Sequence, residues 1–117
     1  MENELQKQII WIGSALKDLK QFPDEVKREM GYALYRAQLG KKSEKAKPLK
    51  GFDHVMEIVS HFDKDTYRGV YVYKMGKTIY VLHAFKKKSK KGIKTSKEDI
   101  AVIKNRLNIA REIDKGI

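Results

Sequence analysis

The chain has 117 residues, a net charge of +11 and no cysteine. That length fits a single domain, residues 1–117, with one core. Without cysteine there are no disulfides, zinc–thiolate sites or thiol nucleophiles. Hydrophobic residues at 41% and charged residues at 35% predict a soluble globular protein with a dense charged surface. No apolar run approaches a membrane span. The start, Met-Glu-Asn-Glu-Leu, lacks the basic and apolar regions of a signal peptide, so a cytoplasmic location is expected.

The charge is unevenly placed. Residues 1–60 carry 11 basic and 9 acidic groups, and residues 61–117 carry 15 and 6. A field this lopsided points to a polyanionic partner. A membrane surface is disfavoured, because no helix pairs an exposed apolar stripe with the lysines.

In chain order, Ile9-Ile10-Trp11-Ile12 reads as a buried strand within Lys7 to Gly13. Ser14 then suits an N-cap, with Leu16, Leu19 and Phe22 on one face of a short helix. Pro23 fits the first turn of a second helix, with Asp24 and Glu25 at its positive end. Val26, Met30, Ala33, Leu34 and Ala37 form an amphipathic stripe that Gly40 ends. Residues 41–51 read as a basic loop, closing with Lys50 and Gly51.

Three strands are expected next, over Phe52 to Phe62, Thr66 to Tyr73 and Thr78 to Phe85. Met75-Gly76 is read as a two-residue hairpin loop between the last two. Thr95 with Glu98 predicts a capping box, and the helix it opens buries Ile100, Ile103, Leu107 and Ala110. The order is β-α-α-β-β-β-α. It predicts an α+β fold with an antiparallel sheet backed by helices on one face.

The Met75-Gly76 turn sets a register in which Arg68 lies opposite His83, on a face shared with Val70, Val72, Ile79 and Val81. Arg68 is expected to hold a phosphate bidentately and offset charge in phosphoryl transfer, or else to pair with Asp63 or Asp65. His83 can act as a general acid or base, or be a satisfied structural histidine. His54 and His61, at strand ends, are weaker candidates. Lys86 follows where the strand leaves the sheet. From Lys86 to Lys97 there are seven lysines and no acid. Lys87, Lys88, Lys90, Lys91 and Lys94, with Lys50 from the basic loop, are expected to contact RNA. Tyr67, Tyr71, Tyr73 and Tyr80 read mainly as packing, with base stacking the alternative. The chain has no glycine-rich phosphate loop, no HExxH and no paired carboxylates, so the expected chemistry uses no metal and no cofactor.

An ordered set of short motifs resembles a known family. They are Asp18-Leu19-Lys20-Gln21-Phe22-Pro23-Asp24-Glu25-Val26, Gly31-Tyr32-Ala33-Leu34, Lys47-Pro48-Leu49-Lys50-Gly51-Phe52, Thr66-Tyr67-Arg68 and Val81-Leu82-His83-Ala84-Phe85-Lys86-Lys87-Lys88-Ser89. Together, over roughly residues 7–111, they resemble the phage-derived branch of RelE/HigB-like toxins of type II toxin–antitoxin systems. The resemblance implies a RelE-like fold and a ribosome-dependent mRNA interferase. Such an enzyme uses the RNA 2′-hydroxyl as nucleophile and leaves a 2′,3′-cyclic phosphate and a 5′-hydroxyl. It also implies a helix-turn-helix antitoxin as partner.

By that resemblance Arg68 matches the strand arginine that contacts the scissile phosphate. Lys86-Lys87-Lys88 matches the basic residues after the last strand. Two features depart from RelE. The strand Met56-Glu57-Ile58-Val59 has no lysine, and no tyrosine follows Tyr80. A nuclease built this way needs His83 or Lys86 to move the proton. The competing reading is a non-enzymatic basic binder, either a ParE-like inhibitor of gyrase or a degenerate member that only binds nucleic acid or antitoxin.

Overall fold

The elements run in the order β-α-α-β-β-β-β-α along the chain. A computed structural model describes residues 6–87 and 94–116. Strand β1 spans Gln8–Trp11 and leads into helix α1, Ala15–Lys20. Helix α2 follows over Asp24–Gln38, with Pro23 at its N-cap rather than inside its first turn. Its end is sharp. Gly40 takes φ +77°, its N–H reaches Ala37 O, and Lys41 N–H reaches Arg36 O. Those two bonds satisfy carbonyls that the helix leaves open, and only a residue at ease with positive φ fits there.

The basic loop holds a strand that its composition hides, β2 over Ala46–Pro48. Three longer strands follow: β3 Val55–Phe62, β4 Asp65–Met75 and β5 Thr78–Lys87. Helix α3 spans Lys97–Lys115. Its cap is Ser96, one residue later than the expected Thr95, and Asp99 N–H donates to Ser96 Oγ.

The five strands lie in the order β1-β5-β4-β3-β2. All neighbours are antiparallel except β1 and β5, which run parallel. The fold class is α+β as expected, but two details differ. The sheet is mixed, and helices cover both faces. Helices α1 and α2 pack on one face through Leu19, Val26, Met30 and Ala33 against Ile58, Tyr71, Ile79 and Val81. Helix α3 packs on the other through Ile103, Leu107 and Ala110 against Val70, Val72, Tyr80 and Leu82. All five residues of the α2 stripe are buried. Tyr67, Tyr71 and Tyr80 are buried as well, and Tyr73 packs against the first core.

The hairpin loop is Gly76-Lys77, since Met75 pairs with Thr78. The expected register is therefore wrong. Arg68 faces Phe85, and His83 faces Val70. Two irregularities interrupt the β4–β5 ladder. One places Tyr73 and Lys74 together opposite Ile79. The other leaves Leu82 as an extra residue on β5.

Candidate active site

Strand β1 is short, and this decides where the site lies. It covers β5 only from Thr78 to Val81. Beyond that point β5 runs on to Lys87 with no strand on that side among the described residues. A cleft of about 810 Å³ opens there. Its floor is His83 to Lys87. One wall is the end of α1 with Asp18, Gln21 and Phe22, and the other is the start of α3 with Ser96, Glu98 and Asp99.

The bulge at Leu82 aims His83. Up to Val81, strand β5 alternates regularly, with Ile79 and Val81 towards α2 and Tyr80 towards α3. The extra residue lets Leu82 and His83 share a side, so His83 joins Val70 and Arg68 on the α3 face. Bulges commonly re-aim a side chain next to a functional site. The Leu82 carbonyl loses its place in the ladder but not its partner, because Arg106 Nη1 donates to it at 3.0 Å. Arg106 Nη2 donates to Ser14 Oγ at 3.0 Å. One arginine of α3 thus joins the bulge to the start of α1.

His83 Nε2 lies 2.8 Å from Asp99 Oδ1. A carboxylate only accepts, so Nε2 carries the hydrogen in this contact. The other oxygen, Oδ2, accepts from Ser96 Oγ at 2.8 Å. Asp99 is 28% exposed, against 11% for the His83 side chain. The carboxylate is therefore the more solvent-accessible member of the pair. The ring of His83 stacks on Phe85 with centroids 4.6 Å apart, and its buried Nδ1 has no hydrogen-bond partner among the described residues.

Arg68 sits one layer deeper. It is buried, and its Nη1 lies 2.7 Å from Oε1 of the equally buried Glu57. The partner is neither Asp63 nor Asp65. The contact is an ion pair without good hydrogen-bond alignment, and Arg68 Nε has no hydrogen-bond partner among the described residues. Thr95 Oγ1 donates to Glu57 Oε2 at 3.2 Å, which ties the segment before α3 to the pair. Arg68 does not line the cleft in this arrangement.

The lysines divide. Lys86 lines the cleft, is exposed, and pairs with Asp65 Oδ2 at 3.0 Å. The hydrogen bond to Asp65 and its charge raise the Lys86 ammonium above its ordinary value. Lys87 also lines the cleft. Burial first, and then the nearby Arg68 charge, lower its ammonium, while Glu57 acts in the opposite direction. Lys94 lines the cleft and is exposed. Lys88, Lys90 and Lys91 lie outside the described residues. Lys50 follows β2, at the opposite edge of the sheet from this cleft. His61 Nδ1 meets Thr66 Oγ1 at 3.0 Å, and His54 meets the Tyr73 ring edge-on, so neither enters the cleft.

Sequence reasoning missed Asp99 and Glu57 as members of the site. Asp99 had a readable signal, because Ser96-x-x-Asp99 places an acid in the first turn of a helix. Among the described residues no cluster of histidines and acids could hold a metal ion. No described helix is long and apolar enough to cross a membrane.

The family model described as phage derived protein Gp49-like matches residues 17–108, which takes in α1 through most of α3. Among solved structures, the toxin–antitoxin complex RelBE2 from Mycobacterium tuberculosis is similar at 17% identity. The match covers 70% of this chain and 99% of that one, with a TM-score of 0.47. No curated protein sequence matches. The matched span holds the hairpin with Arg68, the bulged strand with His83 and the helix with Asp99, and the chain belongs to the Gp49-like family of phage-derived proteins.

Proposed function

We propose that this chain is a RelE/HigB-like toxin, a metal-independent endoribonuclease that cuts mRNA, with the ribosome presenting the substrate. The observation that carries the reading is the His83–Asp99 pair at 2.8 Å, set in a cleft with Lys86, Lys87 and Lys94. Phosphate would bind to the lysines, which attract a polyanion without reading sequence.

The reaction needs little covalent help. The RNA 2′-oxygen attacks phosphorus, the bond to the 5′-oxygen breaks, and a 2′,3′-cyclic phosphate and a 5′-hydroxyl result. One proton must leave the 2′-hydroxyl and one must reach the departing oxygen. The half-buried Asp99 carboxylate takes the proton from the 2′-hydroxyl and returns it to the departing 5′-oxygen, while the His83 Nε2–H bonded to its Oδ1 orients the carboxylate and supports its charge. Lys86, beside its carboxylate partner Asp65, stabilises charge on the phosphoryl oxygens. Arg68 reaches a phosphate only when its pair with Glu57 opens. With the pair closed, it acts on the cleft through Lys87.

The partner that the family implies is a helix-turn-helix antitoxin, whose acidic segment would cover the basic cleft by charge complementarity. The closed Arg68–Glu57 pair favours a second reading, a binder without catalysis, acting on gyrase or on its antitoxin alone.

The test is to express the chain under tight control and map mRNA 5′ ends by primer extension, against His83→Ala and Arg68→Ala. New 5′-hydroxyl ends within translated codons, absent in His83→Ala, support the nuclease. Growth arrest without new ends supports the binder.

A further inference from the structure

A second basic pocket lies at the far end of the same sheet, where α2 ends and the β4–β5 hairpin turns. It measures about 400 Å³. Its floor includes buried Tyr71 and half-buried Tyr73, and its rim carries Lys7, Lys41, Lys42 and Lys74. No acidic residue lines it. Lys7 Nζ donates to Tyr73 O at 2.9 Å and Lys42 Nζ to Ala46 O at 3.1 Å, so both heads are fixed over the pocket by neutral acceptors. Lys41 and Lys74 are exposed. None of the four has an ion-pair partner among the described residues. By contrast Lys27, Lys45, Lys86 and Lys115 each sit beside a carboxylate.

Four uncompensated cations round an aromatic floor suit a ligand that is anionic at one end and flat at the other. Tyr73 contributes a ring already packed against His54 at 5.7 Å, so it is held in place before any ligand arrives. We infer that this pocket is a second RNA subsite, in which one base stacks on Tyr73 while adjoining phosphates contact Lys41 and Lys74. Stacking on a tyrosine is tolerant of sequence, and the phosphate contacts carry no sequence information, so the subsite would anchor RNA rather than select it. It deepens the nuclease reading by adding a binding contact remote from the chemistry.

The test uses the full chain and a labelled 12-nucleotide 2′-O-methyl RNA. This ligand lacks the nucleophile for cleavage, so binding is measured whether or not the first cleft is catalytic. Affinity is read by fluorescence anisotropy across a potassium chloride series. Lys41→Ala/Lys74→Ala is expected to lower the salt slope by about 1.4, at roughly 0.7 per lost phosphate contact on a single strand. Tyr73→Leu is expected to weaken binding about tenfold with the slope unchanged. Lys104→Ala/Lys115→Ala, on α3 and outside the pocket, removes the same charge and is expected to leave the slope near wild type.

Equal slopes for the two double variants would overturn the inference. Displacement of RNA by polyglutamate that depends on Lys41 and Lys74, with no effect of Tyr73→Leu on RNA, would also overturn it, in favour of an acidic protein partner. Retained subsite binding in a chain that cleaves no RNA would sink only the nuclease reading. Cleavage that is insensitive to Lys41, Lys74 and Tyr73, with RNA affinity unchanged, would sink only the subsite.

Discussion

Arg68 Nη1 and Glu57 Oε1 lie 2.7 Å apart, with the two side chains 5% and 3% exposed. Neither charge reaches bulk water, so each depends on the other. Breaking a buried pair by removing one partner leaves an unpaired buried charge and costs about 3–5 kcal/mol. Glu57→Ala should therefore destabilise the fold by about that amount, measured by urea unfolding. Glu57→Met combined with Arg68→Met should cost far less, because no charge is left behind. A double variant as unstable as Glu57→Ala would show that packing, and not the pair, sets the cost.

Gly13 is held by two constraints at once. Its φ is +59°, and a Cβ there would lie 2.8 Å from Arg106 Cζ. The same guanidinium holds the Leu82 carbonyl and Ser14 Oγ. Gly13→Ala should displace Arg106, orphan the bulge carbonyl and cost about 2 kcal/mol or more in stability. Arg106→Ala should cost about as much. The pair should be less than additive in a double-mutant cycle, since both act on one contact.

How much of this was legible? The α2 stripe was, because Val26, Met30, Ala33, Leu34 and Ala37 recur at helical spacing and nothing in tertiary structure overrides them. So were the three long strands, whose β-branched and aromatic content leaves no rival reading. β2 was not, because Ala-Lys-Pro has no strand signature, and its place beside β3 is fixed by tertiary pairing. That His83 shares a face with Arg68, Val70 and Val72 was legible, but its pairing partner, and the placing of Ile79 and Val81 on the opposite face, were not. Tyr80-Val81-Leu82-His83 carries no sign of a bulge, and a slip of one residue reverses every face beyond it. The site was therefore found in its parts and misjudged in its pairing. Its histidine faces Val70 and an aspartate of α3, and its arginine faces Phe85 and pairs with a glutamate of β3.

Tyr71 gives the fold an alkaline limit. Burial, and then the charge of Tyr73, raise its phenol from 10.0 to about 12. The folded state thus holds this proton more tightly than the unfolded chain does. The contribution is fully present below pH 10 and is lost as pH rises through 12, about 3 kcal/mol in all. Stability followed by urea unfolding should fall over that window. Tyr71→Phe should shrink the fall, and the delayed component in the ultraviolet titration of the tyrosines should diminish with it. An unchanged alkaline profile in Tyr71→Phe would place the limit elsewhere, with Tyr80, raised by burial and Asp114, the next group to change.

The central claim is that the His83–Asp99 pair moves the proton in RNA cleavage. The most direct measurement is single-turnover cleavage of an mRNA on programmed ribosomes by the purified chain, against His83→Ala and Asp99→Asn, with binding measured alongside. The account predicts a fall of about 10²–10⁴ in rate for His83→Ala at nearly unchanged affinity. It also predicts at least as large a fall for Asp99→Asn, and no product when the 2′-hydroxyl at the cut is replaced by hydrogen. Cleavage by His83→Ala at the wild-type rate, or no cleavage by the wild-type chain, would contradict it.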